Sequence, residues 1–202
     1  DNRNNVLSNR ALLRDYFDLP SGPIWVNQTH STICLDASLI KSLVEADATY
    51  TSKSGVICGI LTADCLPVFI CKKDGSMVGI AHAGWKGLVS GVIENLIKAF
   101  KSNGDDLVVH LGPAISINYF EVGEEIKELY LSKNINFNRS FSFNNNKHYL
   151  DLYDAARVIL ESFNITSISG GDRCTYSEAK KYFSYRRDGV DSGRMAHLIW
   201  LK

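Results

Sequence analysis

The chain has 202 residues, 45% of them apolar, which is enough for one sizeable core. Lys plus Arg equals Asp plus Glu at 22 each, so net charge points to neither nucleic acid nor an anionic membrane as partner. No apolar stretch reaches the roughly 18 residues of a membrane span, and the polar start Asp1-Asn2-Arg3-Asn4-Asn5 does not read as a signal peptide. Five irregularly spaced cysteines, at 34, 58, 65, 71 and 174, fit no disulfide framework. These features predict one domain over residues 1–202 in a reducing cytoplasm.

Taken in chain order, the periodicities mix helix and strand. Residues 9–17 read as a helix and 24–27 as a strand leading into Gln28-Thr29-His30. Two apolar runs, 56–70 and 77–82, read as strands separated by the turn signal Cys71-Lys72-Lys73-Asp74-Gly75-Ser76. A loop on Lys73-Asp74 sets Cys65 directly opposite His82; a loop on Asp74-Gly75 makes them diagonal neighbours. Either register puts thiol and imidazole on one face, with Cβ atoms about 5–8 Å apart. Such a pair serves as two metal ligands or as a nucleophile and its base. Residues 88–100 read as one helix, with apolar side chains at 88, 89, 92, 93, 96, 97 and 100. Residues 107–111 form a strand stopped by Gly112-Pro113. Residues 122–130 and 152–163 read as helices, and the polar stretch 134–147 as a loop. The end, 182–202, reads as two strands around Asp188-Gly189. Interleaved helices and hairpins predict an α/β fold of the α+β type, a mixed sheet flanked by helices.

Several side chains near these elements carry possible chemistry. Gly84-Trp85-Lys86-Gly87 joins strand to helix after His82, where free N–H groups and the positive helix end favour an anion. Lys86 adds a point charge there, or is simply a solvated lysine. Trp85 either stacks on a planar ligand or packs under the turn. Arg186 and Arg187 suit bidentate phosphate recognition, or else pair with Asp188 or Asp191. On a regular strand only one of the two arginines faces the site. Asp64 points away from Cys65 on a regular strand, and either braces the loop or orients a histidine ring.

Thr62-Ala63-Asp64-Cys65-Leu66-Pro67 and His82-Ala83-Gly84-Trp85-Lys86-Gly87 resemble the signatures of the multicopper polyphenol oxidase (laccase-like) family, also described as the peptidoglycan editing factor or purine nucleoside phosphorylase-like family. Gln28-Thr29-His30, Leu111-Gly112-Pro113-Ala114-Ile115, Phe120-Glu121-Val122-Gly123, Cys174-Thr175-Tyr176, Phe183-Ser184-Tyr185-Arg186-Arg187-Asp188 and Gly193-Arg194-Met195 continue the likeness in order. The resemblance implies a cysteine-hydrolase-like layered sandwich, a metal triad of His30, Cys65 and His82, and a further family segment upstream of Asp1. It implies phosphorolysis of purine nucleosides, methylthioadenosine among them, and hydrolytic deamination of adenosine. Cys65, His82 and Asp64 are then the candidate catalytic residues. Gln28, Gly84, Trp85, Lys86, Gly87, Arg186 and Arg187 are the candidates for binding substrate or phosphate. Ser31 stands where the family usually has Gly.

The implied donor set suits zinc, because two imidazoles and one thiolate leave a fourth tetrahedral position open. Copper is disfavoured. A blue-copper centre with a three-copper cluster needs many histidines, and the chain has five. A mononuclear copper site wants an axial methionine, for which Met77 and Met195 are the only candidates. One rival reading makes Cys65 a thiolate nucleophile and His82 its base, in a hydrolase or amidase acting on cell-wall precursors. Another is a purine-binding module without catalysis.

Overall fold

The computed structural model describes residues 2–202, with strands buried on both faces at its centre. In chain order the elements are α1 (Arg3–Tyr16), β1 (Ile24–Trp25), β2 (Cys34–Asp36), β3 (Ala48–Thr51), β4 (Cys58–Thr62), β5 (Leu66–Lys72), β6 (Val78–Ala83), α2 (Trp85–Ser90), α3 (Val92–Phe100), β7 (Leu107–Leu111), β8 (Glu121–Val122), α4 (Glu124–Lys133), β9 (Phe141–Asn144), β10 (Lys147–Leu150), α5 (Leu152–Ser162), β11 (Ile168–Gly170), α6 (Tyr185–Asp188) and β12 (Met195–Ile199). The main sheet is mixed, in the order β11-β7-β5-β6-β3-β2. A smaller sheet has the order β1-β4-β12, and a third β8-β10-β9.

Period-two alternation builds the layers. On β5, Leu66, Val68 and Ile70 join Ala81 and Ala83 of β6 in the large core, against the stripe Val92, Ile93, Leu96, Ile97 and Phe100 of α3. Phe69 of β5 and Ile80 of β6 belong to the opposite side, packed with Cys58 and Ile60 of β4. The result is the expected mixed α/β arrangement, with helices on one face of the main sheet and the smaller sheet on the other. His82 shares the face of Ile80 and lies near the end of β6.

Several segments differ from the sequence reading, each for a local reason. Run 56–70 is not one strand. It forms β4 and β5, joined by a turn in which Asp64 takes a φ of 86°. Residues 88–100 split into α2 and α3 because Gly91 takes a φ of 104°, a conformation that glycine adopts without steric cost. Polar residues 134–147 hold a 3-10 turn and the β9–β10 hairpin. Asn145 and Asn146 at its tip have φ of 50° and 57°, as a two-residue I′ turn requires. The chain end is not a hairpin. Ser184 accepts from the Arg187 N–H and caps the short α6, and β12 pairs antiparallel with β4. Helix α1 starts earlier than residue 9, where the Asn2 side chain accepts from Asn4 N–H, and α4 starts only after Gly123. Among the described residues, no helix is long and apolar enough to cross a membrane.

Candidate metal centre

The β5–β6 register pairs Pro67 with His82 and Leu66 with Ala83, which is the register of a loop on Asp74-Gly75. Cys65 is therefore the diagonal neighbour of His82. His30 comes in from the loop after β1. Ligand atoms of His30, Cys65 and His82 all lie within 4.8 Å of one another, and among the described residues this is the group of His, Cys, Asp or Glu side chains able to hold a metal ion. Cys65 Sγ is 3.8 Å from His30 Nε2. Tetrahedral zinc has S···N edges of about 3.5 Å, from bonds of about 2.3 Å to sulfur and 2.0 Å to nitrogen, so the donor set fits that ion with small side-chain shifts. Gly84 makes the floor. A Cβ there would sit 2.8 Å from His30 Cδ2 and 2.9 Å from Cys65 Sγ.

One fully buried carboxylate organises two of the three side chains. Asp47 Oδ1 accepts from His82 Nδ1 at 2.7 Å, leaving Nε2 as the free ring nitrogen. The same carboxylate accepts from the N–H groups of Thr29, His30 and Ser31 and from the Ser31 hydroxyl. These successive donors form a nest around the anion. They hold His30 at a φ of 60°, which a non-glycine residue adopts only when its surroundings fix it. Ser31 therefore does more than replace a glycine: its hydroxyl is one of the donors. The Asp47 main chain also accepts from His82 N–H at 2.7 Å, so one residue locks both the ring and the backbone of His82.

Electrostatics follow from this packing. Burial raises the Cys65 thiol, but hydrogen bonds and charge from His30 and His82 outweigh it and bring the thiol below its usual range. Burial lowers His82, but Asp47 and Cys65 outweigh it and raise the imidazole. Asp47 is raised by burial and lowered further by His82 and Ser31, so it stays ionised. A thiolate beside oriented imidazoles is the state a soft or borderline metal ion takes up.

A cleft of about 130 Å³ opens beside Cys65, lined by Ala63, Asp64, Trp85, Ile115, Phe120, Leu152, Tyr185 and Arg186. Arg186 faces it with its guanidinium 5.2 Å over the Phe120 ring, held by the Glu121 carbonyl at 3.2 Å. Arg187 is directed elsewhere. It donates to the carbonyls of Thr175, Tyr176 and Tyr182 and pairs with Asp188. Since α6 is helical, strand alternation does not sort the two arginines; their hydrogen bonds do. Lys86 is exposed, with Nζ 5.4 Å from the Trp85 ring centroid, and does not line the cleft. The Gln28 amide is paired with both N–H and C=O of Leu61, so it ties the His30 loop to β4. Gly84 caps α2, and Gly87 lies one turn into it. No methionine lines the cleft.

Known proteins resemble this chain in sequence and in fold. A family model described as multi-copper polyphenol oxidoreductase laccase matches residues 1–202. The chain belongs to that family. A protein of Escherichia coli (strain K12) named "Purine nucleoside phosphorylase YfiH" is 41% identical over 202 residues, covering 100% of this chain and 83% of the relative. A "Purine nucleoside phosphorylase" of Haemophilus influenzae is 39% identical over 205 residues, covering 100% and 84%. The crystal structure of Neisseria meningitidis protein NMB0706 superposes with a TM-score of 0.94 at 39% identity, covering 100% of this chain and 83% of that one.

Several laccase-family motifs meet on Asp64. Its carbonyl accepts from Ile115 N–H at 2.9 Å. Its carboxylate accepts from the Thr175 and Ser184 hydroxyls and from Arg186 N–H at 2.6 Å. Of the two roles left open for Asp64, these bonds serve bracing; orienting a histidine ring falls to Asp47. Sequence reasoning missed Asp47. Its signal is an acid among the small residues Ala46-Asp47-Ala48-Thr49, just before β3.

Proposed function

We propose that this protein is a zinc-dependent purine nucleoside phosphorylase that also takes methylthioadenosine and deaminates adenosine. The observation that carries the reading is the 41% identity, over all 202 residues, to a protein named purine nucleoside phosphorylase. The donor chemistry of His30, Cys65 and His82 supports zinc. When bound, zinc supplies Lewis acidity next to the cleft. Trp85, Phe120 and Tyr185 offer aromatic surface for a purine. Arg186 presents its remaining donors to phosphate. Asp47 keeps His82 Nε2 aimed at the site. In phosphorolysis a phosphate oxygen bonds to the anomeric carbon while the carbon–nitrogen bond breaks, and the base leaves with that electron pair and takes up a proton. Five unpaired cysteines support a cytoplasmic location.

A second reading is favoured by one observation. Cys65, His82 and Asp47 stand in the order of a nucleophile, its base and the base's orienting acid. That constellation supports a cysteine hydrolase or amidase acting on cell-wall precursors. Metal analysis of the purified protein, together with assays of adenosine and inosine with and without phosphate, separates the readings. About one zinc per chain and phosphate-dependent release of free base are expected. A metal-free protein with a rapidly alkylated Cys65 and no base release overturns the first reading in favour of the hydrolase. Bound copper with oxidation of phenols overturns both.

A further inference from the structure

We propose that Asp64 is a positioning residue, whose carboxylate sets Arg186 across the cleft from Cys65. Three remote segments meet on it. Its main chain joins the turn before β5 to Ile115, and its carboxylate reaches Thr175, Ser184 and the Arg186 N–H across 111, 120 and 122 residues of chain. Asp64 is buried to 8% exposure, with both carboxylate oxygens engaged by these donors.

The geometry gives this hub a direction of action. Cys65 follows Asp64 directly, so the turn that presents the thiol is the turn that presents the carboxylate. On the far side, Ser184 donates to Asp64 and accepts from Arg187 N–H, which starts α6. Helix α6 has four residues and none is buried. Too short to hold itself by helical bonds, it depends on what grips its first turn. The Asp64 carboxylate is that grip, through Ser184 and the main chain of Arg186. The guanidinium is fixed separately by the Glu121 carbonyl and the Phe120 ring. Removing Asp64 takes away the one bond to the Arg186 main-chain N–H and leaves α6 held through Ser184 and the Arg187 guanidinium, so the placement of Arg186 relative to Cys65 is less closely fixed.

The kinetic part of the test rests on the reading of Arg186 as the phosphate-binding arginine; the exchange part does not. Asp64→Gly removes the carboxylate and tolerates the φ of 86°. Asp64→Asn keeps an oxygen for Arg186 N–H, with Thr175 able to turn its hydroxyl round to accept from the new amide. Hydrogen exchange of the 202-residue chain should show the Arg186 amide exchanging about tenfold faster or more in Asp64→Gly, and close to wild type in Asp64→Asn. The KM for phosphate should rise about tenfold in Asp64→Gly, with the zinc content kept and the Asn variant near wild type. In an Arg186→Ala background, Asp64→Gly should add nothing further, because its effect runs through that arginine.

Unchanged Arg186 exchange in Asp64→Gly overturns the proposal. So does additivity with Arg186→Ala, or an Asn variant as impaired as the Gly variant. If Asp64→Gly does not fold, Thr175→Val removes one donor from the same carboxylate, and faster Arg186 exchange is again the expected result. If the wild-type protein releases no base with phosphate, the proposed function falls, and the exchange data alone decide on Asp64.

Discussion

Gly84→Ala isolates the steric side of the proposed metal site. Gly84 has φ −71° and ψ 167°, a region open to any residue, so alanine adds no backbone strain. Everything the substitution does comes from one methyl group. That group would lie 2.8 Å from His30 Cδ2, 2.9 Å from Cys65 Sγ and 3.1 Å from His30 Nε2. Non-bonded carbon contacts settle at about 3.5–4.0 Å, so one or both ligands must retreat by about 0.7–1 Å. Metal–ligand bonds tolerate about 0.2 Å. The displacement exceeds that several-fold, and zinc affinity should fall by about 100-fold or more, beyond what loss of an outer hydrogen bond brings. The metal-free protein should change by less than about 1 kcal/mol, because His30 is exposed and free to swing outward. Competition with a chromophoric chelator measures the first quantity, and denaturant unfolding of metal-free protein the second. Gly22→Ala is the control, since its Cβ would meet nothing within 4 Å. Wild-type zinc affinity in Gly84→Ala refutes the reasoning. A large loss of metal-free stability also refutes it, by making Gly84 a packing glycine and nothing more.

Three further outcomes are expected. Cys65→Ser should lose most of its zinc while keeping its far-ultraviolet circular dichroism, because a hydroxyl does not ionise as a thiol does and the core beneath is aliphatic; metal analysis showing full occupancy would remove Cys65 from the ligand set. Arg186→Ala should weaken phosphate-dependent base release by about tenfold or more, and adenosine deamination less, whereas exposed Lys86→Ala should have the smaller effect of the two; the reverse ranking in steady-state kinetics would return the phosphate to the Gly84–Gly87 turn. His197 is lowered from 6.5 to about 4, by burial first and by the His82 charge second, so below pH 6.5 the unfolded chain binds a proton that the folded chain refuses until about pH 4. Stability present above pH 6.5 should thus decline across that window by up to about 3 kcal/mol, and His197→Gln should flatten the decline in urea titrations at successive pH values.

Two members of the triad, Cys65 and His82, are legible in the sequence because their information is local, whereas His30, 35 residues before Cys65, entered only through the family resemblance. Cys65 and His82 stand at the ends of two runs joined by a short turn, and a count from Asp74-Gly75 is enough to bring them together. The helix at 152–163 is legible for a similar reason: its period is long enough to read, and Asp151 caps it. What escapes is whatever rests on a single residue or on distant pairing. Gly91 breaks a helix without disturbing its apolar period. Helix α6 is too short to have a period, and its strand-like look comes from aromatic residues that lie exposed, Phe183 and Tyr185.

The two buried aspartates show how much of the site lies in that second category. Asp47 is 35 residues from His82, with nothing in the spacing to join them; only its charge among small residues marks it out. Asp64 is marked by its place next to Cys65, and that place misleads, because on an unbroken strand it would face the other way and touch nothing of the site. The turn at 63–65 makes it a hub instead. Motifs as far apart as Leu111–Ile115, Cys174–Tyr176 and Phe183–Asp188 therefore need not each contribute a reacting group. Ile115 donates to the Asp64 carbonyl, and Thr175, Ser184 and Arg186 donate to its carboxylate, so one residue accounts for why those segments are held to the turn that presents Cys65.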